Sequence, residues 1–571
     1  MKETPPPMLE RIVRFPAVQR LLSEIGVDPR QFQLFLGLLR TLSERQEFMG
    51  NLGVNRFAIA YVALLYLFFF GLPMGLLVLA RFATPVYLLV NLTVTTLLLL
   101  LLIVSEAANT LFNPTEASVL AHQPVHAFTY VAAKIVHLLL IVLYLVPALA
   151  GPAALCGVFL KDARWFYPLT HFAAVLLAGL FTAFFICALY GWLFRVFPAA
   201  RLKNVSLWLQ LLAFAAMPAI GGIVGAFIVS LRSMEFDINR WAWLPLSWFV
   251  EMGLLGTRVA ARQLGWLGPL SIVLTAVVIW LGLRGFSKEY LQQVPAMLRE
   301  HSGHARRSAR ASRIAPLIRF LTGSPEGVAA FGFTGKLMRR DWHFRRNALP
   351  GVLPAALWIV GGIVSMLAKP GLAISPLLSH KFSPAHLFPH ALGYMLLLPC
   401  AMIAFTDWHQ GSWIFLTAPL SRLRAFALGV CAALWLPGVV LPHLCLLPLT
   451  AWFWGWKAAI LFSFFSAVVA SFYLALEVLL ISGLPFGNPY KASRSAIGIP
   501  VMIIGGMTAG ILVGLQWLAF QIWWVAIAAG LLLALATWLA ARLTLRQLEG
   551  EIRLNLQTLR MGPTQMFKGV E

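Results

Sequence analysis

Apolar residues along the chain gather in runs of about 20, long enough to cross a hydrocarbon core as helices. About twelve such runs occur. They lie near 57–80, 85–105, 127–149, 168–194, 206–231, 266–284, 349–368, 387–406, 425–449, 456–482, 496–516 and 521–541. The pattern predicts an all-α polytopic membrane protein of about twelve transmembrane helices. Internal prolines (Pro73, Pro147, Pro218, Pro442, Pro500) are the kinks that membrane helices tolerate. Before the first run, Leu21, Leu22 and Ile25 recur at helical spacing, as do Phe32, Phe35, Leu36 and Leu39. Residues 1–56 therefore read as a cytoplasmic amphipathic segment forming an elbow on the membrane, without a signal-peptide pattern.

Composition supports the membrane reading. Of 571 residues, 60% are apolar and 11% charged, against about 45–50% and 25% in soluble chains. The mean hydropathy is +0.82. So few charges cannot build a polar shell, which excludes a soluble enzyme, a disordered protein and a disulfide-stapled module. The five cysteines (Cys156, Cys187, Cys400, Cys431, Cys445) lie in or beside apolar runs and read as small packing residues. No metal site is expected.

The net charge of +23 has a topological reading, because basic residues collect in cytoplasmic loops. No nucleic-acid partner is expected. Residues 285–348 carry Lys288, Arg299, Arg306, Arg307, Arg310, Arg313, Arg319, Lys336, Arg339, Arg340, Arg345 and Arg346 against four acids. This segment is expected in the cytoplasm, as are both termini, in a multi-pass inner (plasma) membrane protein. Arg195, Arg201 and Lys203, and Lys491 and Arg494, mark smaller loops on the same side. The expected organisation is 1–56 as N-terminal segment and 57–287 as first six-span half. A basic linker over 288–348, a second six-span half over 349–541 and a cytoplasmic tail over 542–571 follow. Trp241, Trp243, Trp248 and Phe249 read as an aromatic helix lying in the outer interface.

Six spans, a linker and six spans suggest duplication, and residues support it. Asn113-Pro114-Thr115-Glu116-Ala117-Ser118 follows the second run and closes at Pro124; Asp407-Trp408-His409-Gln410-Gly411-Ser412 follows the eighth and closes at Pro419. Asn113 and Asp407 are 294 apart, as are Glu116 and Gln410, and Ser118 and Ser412. The closing prolines are 295 apart. Asn113 or Asp407 can act as N-cap, with Glu116 or Gln410 completing a capping box and Pro114 at the first helical position. Each half has an even number of spans, so the repeat is parallel rather than inverted.

The capped segment, followed by Leu120-Ala121-His122-Gln123-Pro124-Val125 and by Lys134 early in the third run, resembles the permease subunits of ABC-2-type exporters. Gly335-Lys336-Leu337-Met338-Arg339-Arg340-Asp341-Trp342 is similar to the amphipathic stretch before a permease half's first span. The resemblance covers most of the chain in layout and a few short motifs in residues. It implies that the segments at 113–124 and 407–419 are coupling helices docking on a separate ATP-binding subunit, in two copies. Mg-ATP would sit on that subunit, and a homodimer of this chain is a second arrangement. Gly411, Trp413 and Phe415 depart from the first half's pattern.

No G-x-x-x-x-G-K-[ST] loop is present, so the chain is expected to be no enzyme. His386 and His390, four apart, are spaced like metal ligands but lack an acidic or thiol partner, and Pro389 disturbs the helix. Glu235 and Asp237 are the carboxylate pair that a membrane glycosyltransferase would use. Lys134, His137 and Glu477 are the intramembrane polar candidates. Lys134 is expected to snorkel to the headgroups, and Glu477 to pair with Lys491 or Arg494. The chief alternative is an ion-gradient-driven transporter of six-plus-six layout. That class carries a basic motif after its second span, and here no Lys or Arg stands between Glu106 and Ala133.

Overall fold

The computed structural model describes residues 13, 15–45, 66–67, 71–80, 83–111, 123–197, 201, 204–213, 215, 245–258, 265–284, 314–368, 375–378, 383–406, 409–418, 420–489 and 498–561. Over these residues the fold is all-α; pairing outside helices is limited to the isolated bridges Ala163–Thr257 and Phe405–Asn488. The chain divides into two compact units, Met1–Arg306 and Arg307–Glu571.

In the first unit, α1 (Pro16–Glu24) and α2 (Pro29–Arg45) meet at Gly26, whose φ of +88° favours glycine. Asp28 caps α2, accepting from the N–H groups of Arg30 (2.9 Å) and Gln31 (3.2 Å). The predicted stripe Phe32, Phe35, Leu36 and Leu39 is buried, while Leu34 and Leu38 are exposed. Next come α3 (Leu72–Leu76), α4 (Thr84–Leu111), α5 (Ala127–Cys156), α6 (Tyr167–Val196), α7 (Pro245–Leu254) and α8 (Leu267–Arg284). Helix α6 is central and packs against α4, α5, α7 and α8. Helix α2 packs on α5.

The aromatic segment expected in the outer interface is described from Pro245 onward. Helix α7 packs into the unit's core, where Phe249 is buried and its ring lies 5.5 Å from that of Phe181. Glu251 explains the position: its carboxylate accepts from the Gly265 N–H and, at 2.6 Å, from the Gly268 N–H, latching α7 to the start of α8. Trp241, Trp243, Glu235 and Asp237 lie outside the described residues.

The second unit opens with α9 (Ala315–Thr322), α10 (Pro325–Arg340) and α11 (Trp342–Ala368). Short helices α12 (Phe388–Tyr394), α13 (Leu397–Met402) and α14 (Ile414–Thr417) follow. Then come α15 (Leu423–Trp435), α16 (Leu441–Trp454), α17 (Trp456–Glu477), α18 (Gly498–Ala519) and α19 (Trp523–Met561). A π-turn over Leu436–Val440 joins α15 to α16. It contains Pro437, whose missing N–H a wider turn accommodates.

Two ends of this unit are distinguishable. At one, the Leu378 N–H donates to the Phe520 carbonyl at 2.8 Å, and Phe462 and Phe465 of α17 pack on the Phe520 ring. At the other, residues 403–406 pair with the loop after α17. The Phe486 N–H donates to Ile403 O, the Asn488 N–H to Ala404 O and the Thr406 N–H to Asn488 O. Asn555 of α19 closes this end, accepting from the Leu484 N–H and donating to Asn488 Oδ1 at 2.7 Å.

Among the described residues nine helices are long and apolar enough to cross a membrane. They are Thr84–Val104, Phe128–Phe159, Tyr167–Val196, Leu267–Arg284, Phe344–Val364, Ala385–Met402, Leu423–Trp454, Trp456–Leu480 and Trp523–Arg560. Of the three remaining runs, half of 57–80 and most of 206–231 fall outside the described residues, and 496–516 overlaps α18.

Candidate functional site

The segment expected to act as second coupling helix is a 3-10 turn, His409–Trp413, running into α14. Helix α10 holds both of its flanks. In front, the Thr406 hydroxyl donates to Asp341 Oδ2 at 2.5 Å, while Asp341 Oδ1 caps α11 by accepting from the Phe344 N–H at 2.7 Å. Behind, the Ser421 hydroxyl donates to Glu326 Oε1 at 2.9 Å. Asp341 stands just after α10 and Glu326 in its first turn, so one helix spans both anchors. Ser324 caps α10 by accepting from the Glu326 N–H, and its hydroxyl donates to Glu326 Oε2. The Ser324 hydroxyl, the Glu326 backbone N–H and the Ser421 hydroxyl hold the Glu326 carboxyl below its usual range.

Between the anchors, Phe415 is buried, with Phe333 of α10 at 5.2 Å and Phe426 of α15 at 6.0 Å, both edge-on. Ser412 is also buried. Trp413 (61% exposed), Ile414 and Leu416 point away from the unit, and Gln410 is exposed. The segment is therefore fixed at both flanks while presenting a small apolar surface. Asp407 and Pro419 lie outside the described residues. Asp341→Ala removes the cap on α11 and the acceptor for Thr406. It is expected to cost about 1–2 kcal/mol, read as a lower melting temperature of the detergent-solubilised chain.

The first unit makes a matching connection. The Gln31 amide of α2 donates to the Pro124 carbonyl (3.2 Å) and accepts from the His126 N–H (3.1 Å). The Asp28 N–H donates to Thr129 Oγ1 at 3.0 Å. Gln31 and Glu326 are 295 apart, as are their partners His126 and Ser421. In each unit an amphipathic helix ahead of the first candidate span holds the chain just before a long apolar helix. Asn113, Pro114, Glu116 and Ser118 lie outside the described residues.

The intramembrane candidates separate. Lys134 does not reach the surface as expected. It is fully buried, with Nζ 4.5 Å from the Tyr130 ring, and that ring meets Phe35 of α2 edge-on at 5.3 Å. The docking of α2 on α5 covers this stretch, so the lysine stem has no route to water. His137, a turn further along α5, is half-buried. Glu477 is 5% exposed at the end of α17, and neither carboxylate oxygen has a hydrogen-bond partner among the described residues. Lys491 and Arg494, its expected partners, lie outside them.

His386 and His390 go to different partners. His386 Nδ1 accepts from the Ser383 N–H in a capping box. His390 Nε2 lies 3.0 Å from Gln516 Oε1 of α18, and Nδ1 lies 3.1 Å from the Tyr473 hydroxyl of α17. With the Gln516 oxygen facing the ring, Nε2 donates to it and Nδ1 accepts from the Tyr473 hydroxyl; with the amide turned over, both directions reverse. All three side chains are buried. This cluster draws on helices far apart in sequence, and no local motif announces it. The α10 anchors had a local signal, the Ser324-Pro325-Glu326 helix start, which sequence reasoning passed over.

The described fold is thus that of an all-α protein with several apolar helices long enough to span a bilayer. No protein-family model matches the chain, and no curated protein or solved structure matches it either.

Proposed function

We propose that the chain is the membrane-spanning permease subunit of an ATP-driven transporter, an exporter of the ABC-2 type. In this reading twelve spans form two parallel six-span halves in the inner membrane. The basic end of the second unit, with Arg339, Arg340 and Arg422, faces the cytoplasm together with both termini. The segments at 113–124 and 407–419 couple this chain to a cytoplasmic ATP-binding subunit in two copies, which holds Mg-ATP.

The observation that carries the proposal is the anchored segment at 409–418, together with the Gln31–His126 connection, offset by 295 residues from Glu326–Ser421. A segment that passes force between proteins needs fixed flanks and an exposed face. Residues 409–418 have both: Thr406 and Ser421 tie them to α10, and Trp413, Ile414 and Leu416 are exposed. ATP binding on the partner can shift the permease between states only through contacts that differ between them.

The test is purification of the tagged chain from its native membrane in mild detergent, followed by mass spectrometry and an ATPase assay. A Walker-A protein in fixed ratio, with ATPase activity, is expected. Trp413→Asp combined with Leu416→Asp is expected to lower both at least tenfold without changing the melting temperature, because both side chains are exposed. A chain that purifies without ATPase would remove the proposal and favour ion-gradient-driven transport.

A further inference from the structure

Helices α12 and α18 of the second unit border an open cleft of about 390 Å³. Its walls are mostly small or apolar, including Ala391, Gly510 and Val513, and its polar groups are His390 and Tyr394. Behind Tyr394 lies Tyr473 of α17, with the two rings 5.3 Å apart. Glu477 follows Tyr473 by one helical turn on the same face. The Glu477 carboxylate is 5% exposed and has no hydrogen-bond partner among the described residues; the Tyr394 hydroxyl has none either.

A buried carboxyl either takes up a proton or meets a counter-charge, and an ionisable group at membrane depth marks a ligand or ion path by default. Two aromatic rings beside a carboxylate suit a cation with an apolar periphery, through ring-face attraction and direct charge. They do not suit a metal ion, which requires several oxygen donors; no cluster of three metal-ligating side chains occurs among the described residues. The hydrogen bonds of His390 to Tyr473 and Gln516 fix the Tyr473 ring in place.

We propose that this cluster binds a lipophilic organic cation, with the apolar body in the cleft and the cationic centre meeting Glu477 beside the Tyr394 and Tyr473 rings. The inference names a substrate class for the transport proposed above. It rests on the membrane reading and needs no ATP-binding partner.

The test is equilibrium binding of tritiated tetraphenylphosphonium to the full chain in detergent, with tetraphenylborate as a probe of equal shape and opposite charge. Saturable binding of the cation, near one per chain, and none of the borate are expected. Glu477→Gln is expected to weaken cation binding at least tenfold, and Glu477→Asp less. Gly510→Leu fills the cleft from a position where an added Cβ meets nothing within 4 Å, and it should weaken binding similarly at unchanged melting temperature. Equal binding of cation and borate, or cation binding unchanged in Glu477→Gln, would overturn the site. Should Glu477→Gln fail to fold, the borate comparison and Gly510→Leu decide. Saturable cation binding by a chain that recruits no ATPase would sink the exporter reading and leave this site standing.

Discussion

Replacing Glu251 by leucine is expected to release the start of α8 and to give the largest stability loss of any single substitution in the first unit. The first N–H groups of a helix have no partner inside it, and the helix dipole makes them favour an anion. At α8 that anion is the Glu251 carboxylate, 1% exposed, which receives the Gly265 and Gly268 N–H groups on its two oxygens. Leucine fills a similar volume but accepts nothing, and the Gly268 N–H is buried. Hydrogen bonds to charged groups contribute about 1.5–3 kcal/mol each, so the pair amounts to roughly 3–6 kcal/mol. Glu251→Gln keeps one accepting oxygen and should fall between. Thermal unfolding of the detergent-solubilised chain checks the order wild type, glutamine, leucine. A leucine variant that melts with wild type would show that the latch contributes nothing.

Gly429→Val is expected to be the most damaging change at the anchored segment. Helix α15 crosses α10 at Gly429, where an added Cβ would stand 2.2 Å from the Gly327 carbonyl oxygen and 2.9 Å from Ala330 Cβ. The two backbones touch, as small residues at membrane-helix crossings allow. A carbonyl cannot rotate out of the way, so the helices must separate. Ordinary overpacking costs about 1–3 kcal/mol, and a backbone obstacle puts this case at about 3 or more. Separation also pulls Phe333 of α10 away from Phe415, which loosens the segment between its anchors. A lower melting temperature is expected and, under the proposed coupling role, loss of ATPase recruitment as well. Gly332→Val, on the facing helix α10 but with nothing within 4 Å of its added Cβ, is the control and should change neither. Equal behaviour of the two variants would refute the crossing as the cause.

What was legible in the chain, and what was not, divides along the range of the interactions. Apolar runs long enough to span a bilayer are a local property, so the spans at 127–149 and 168–194 reappear in α5 and α6. The stripe Phe32, Phe35, Leu36 and Leu39 repeats with the helical period and is buried as that period requires. The spacing of 294–295 between the two segments expected to be capped is a property of the sequence, and an offset of 295 separates the Gln31–His126 connection from the Glu326–Ser421 connection.

Residue pairing across helices was decided by tertiary structure alone. Lys134 reads locally as a snorkelling lysine, and α2, about 90 residues earlier, closes over its site. Trp248 and Phe249 read as an interfacial belt; in the fold Phe249 is buried, and Glu251 ties their helix to the start of α8. His390 stands 83 residues from Tyr473 and 126 from Gln516, distances over which no periodicity carries information. Hydrophobic period reports which face of a helix leaves water, because burial depends on that face alone. Which polar groups then meet depends on how the helices cross, and that is set by the packing of all of them together.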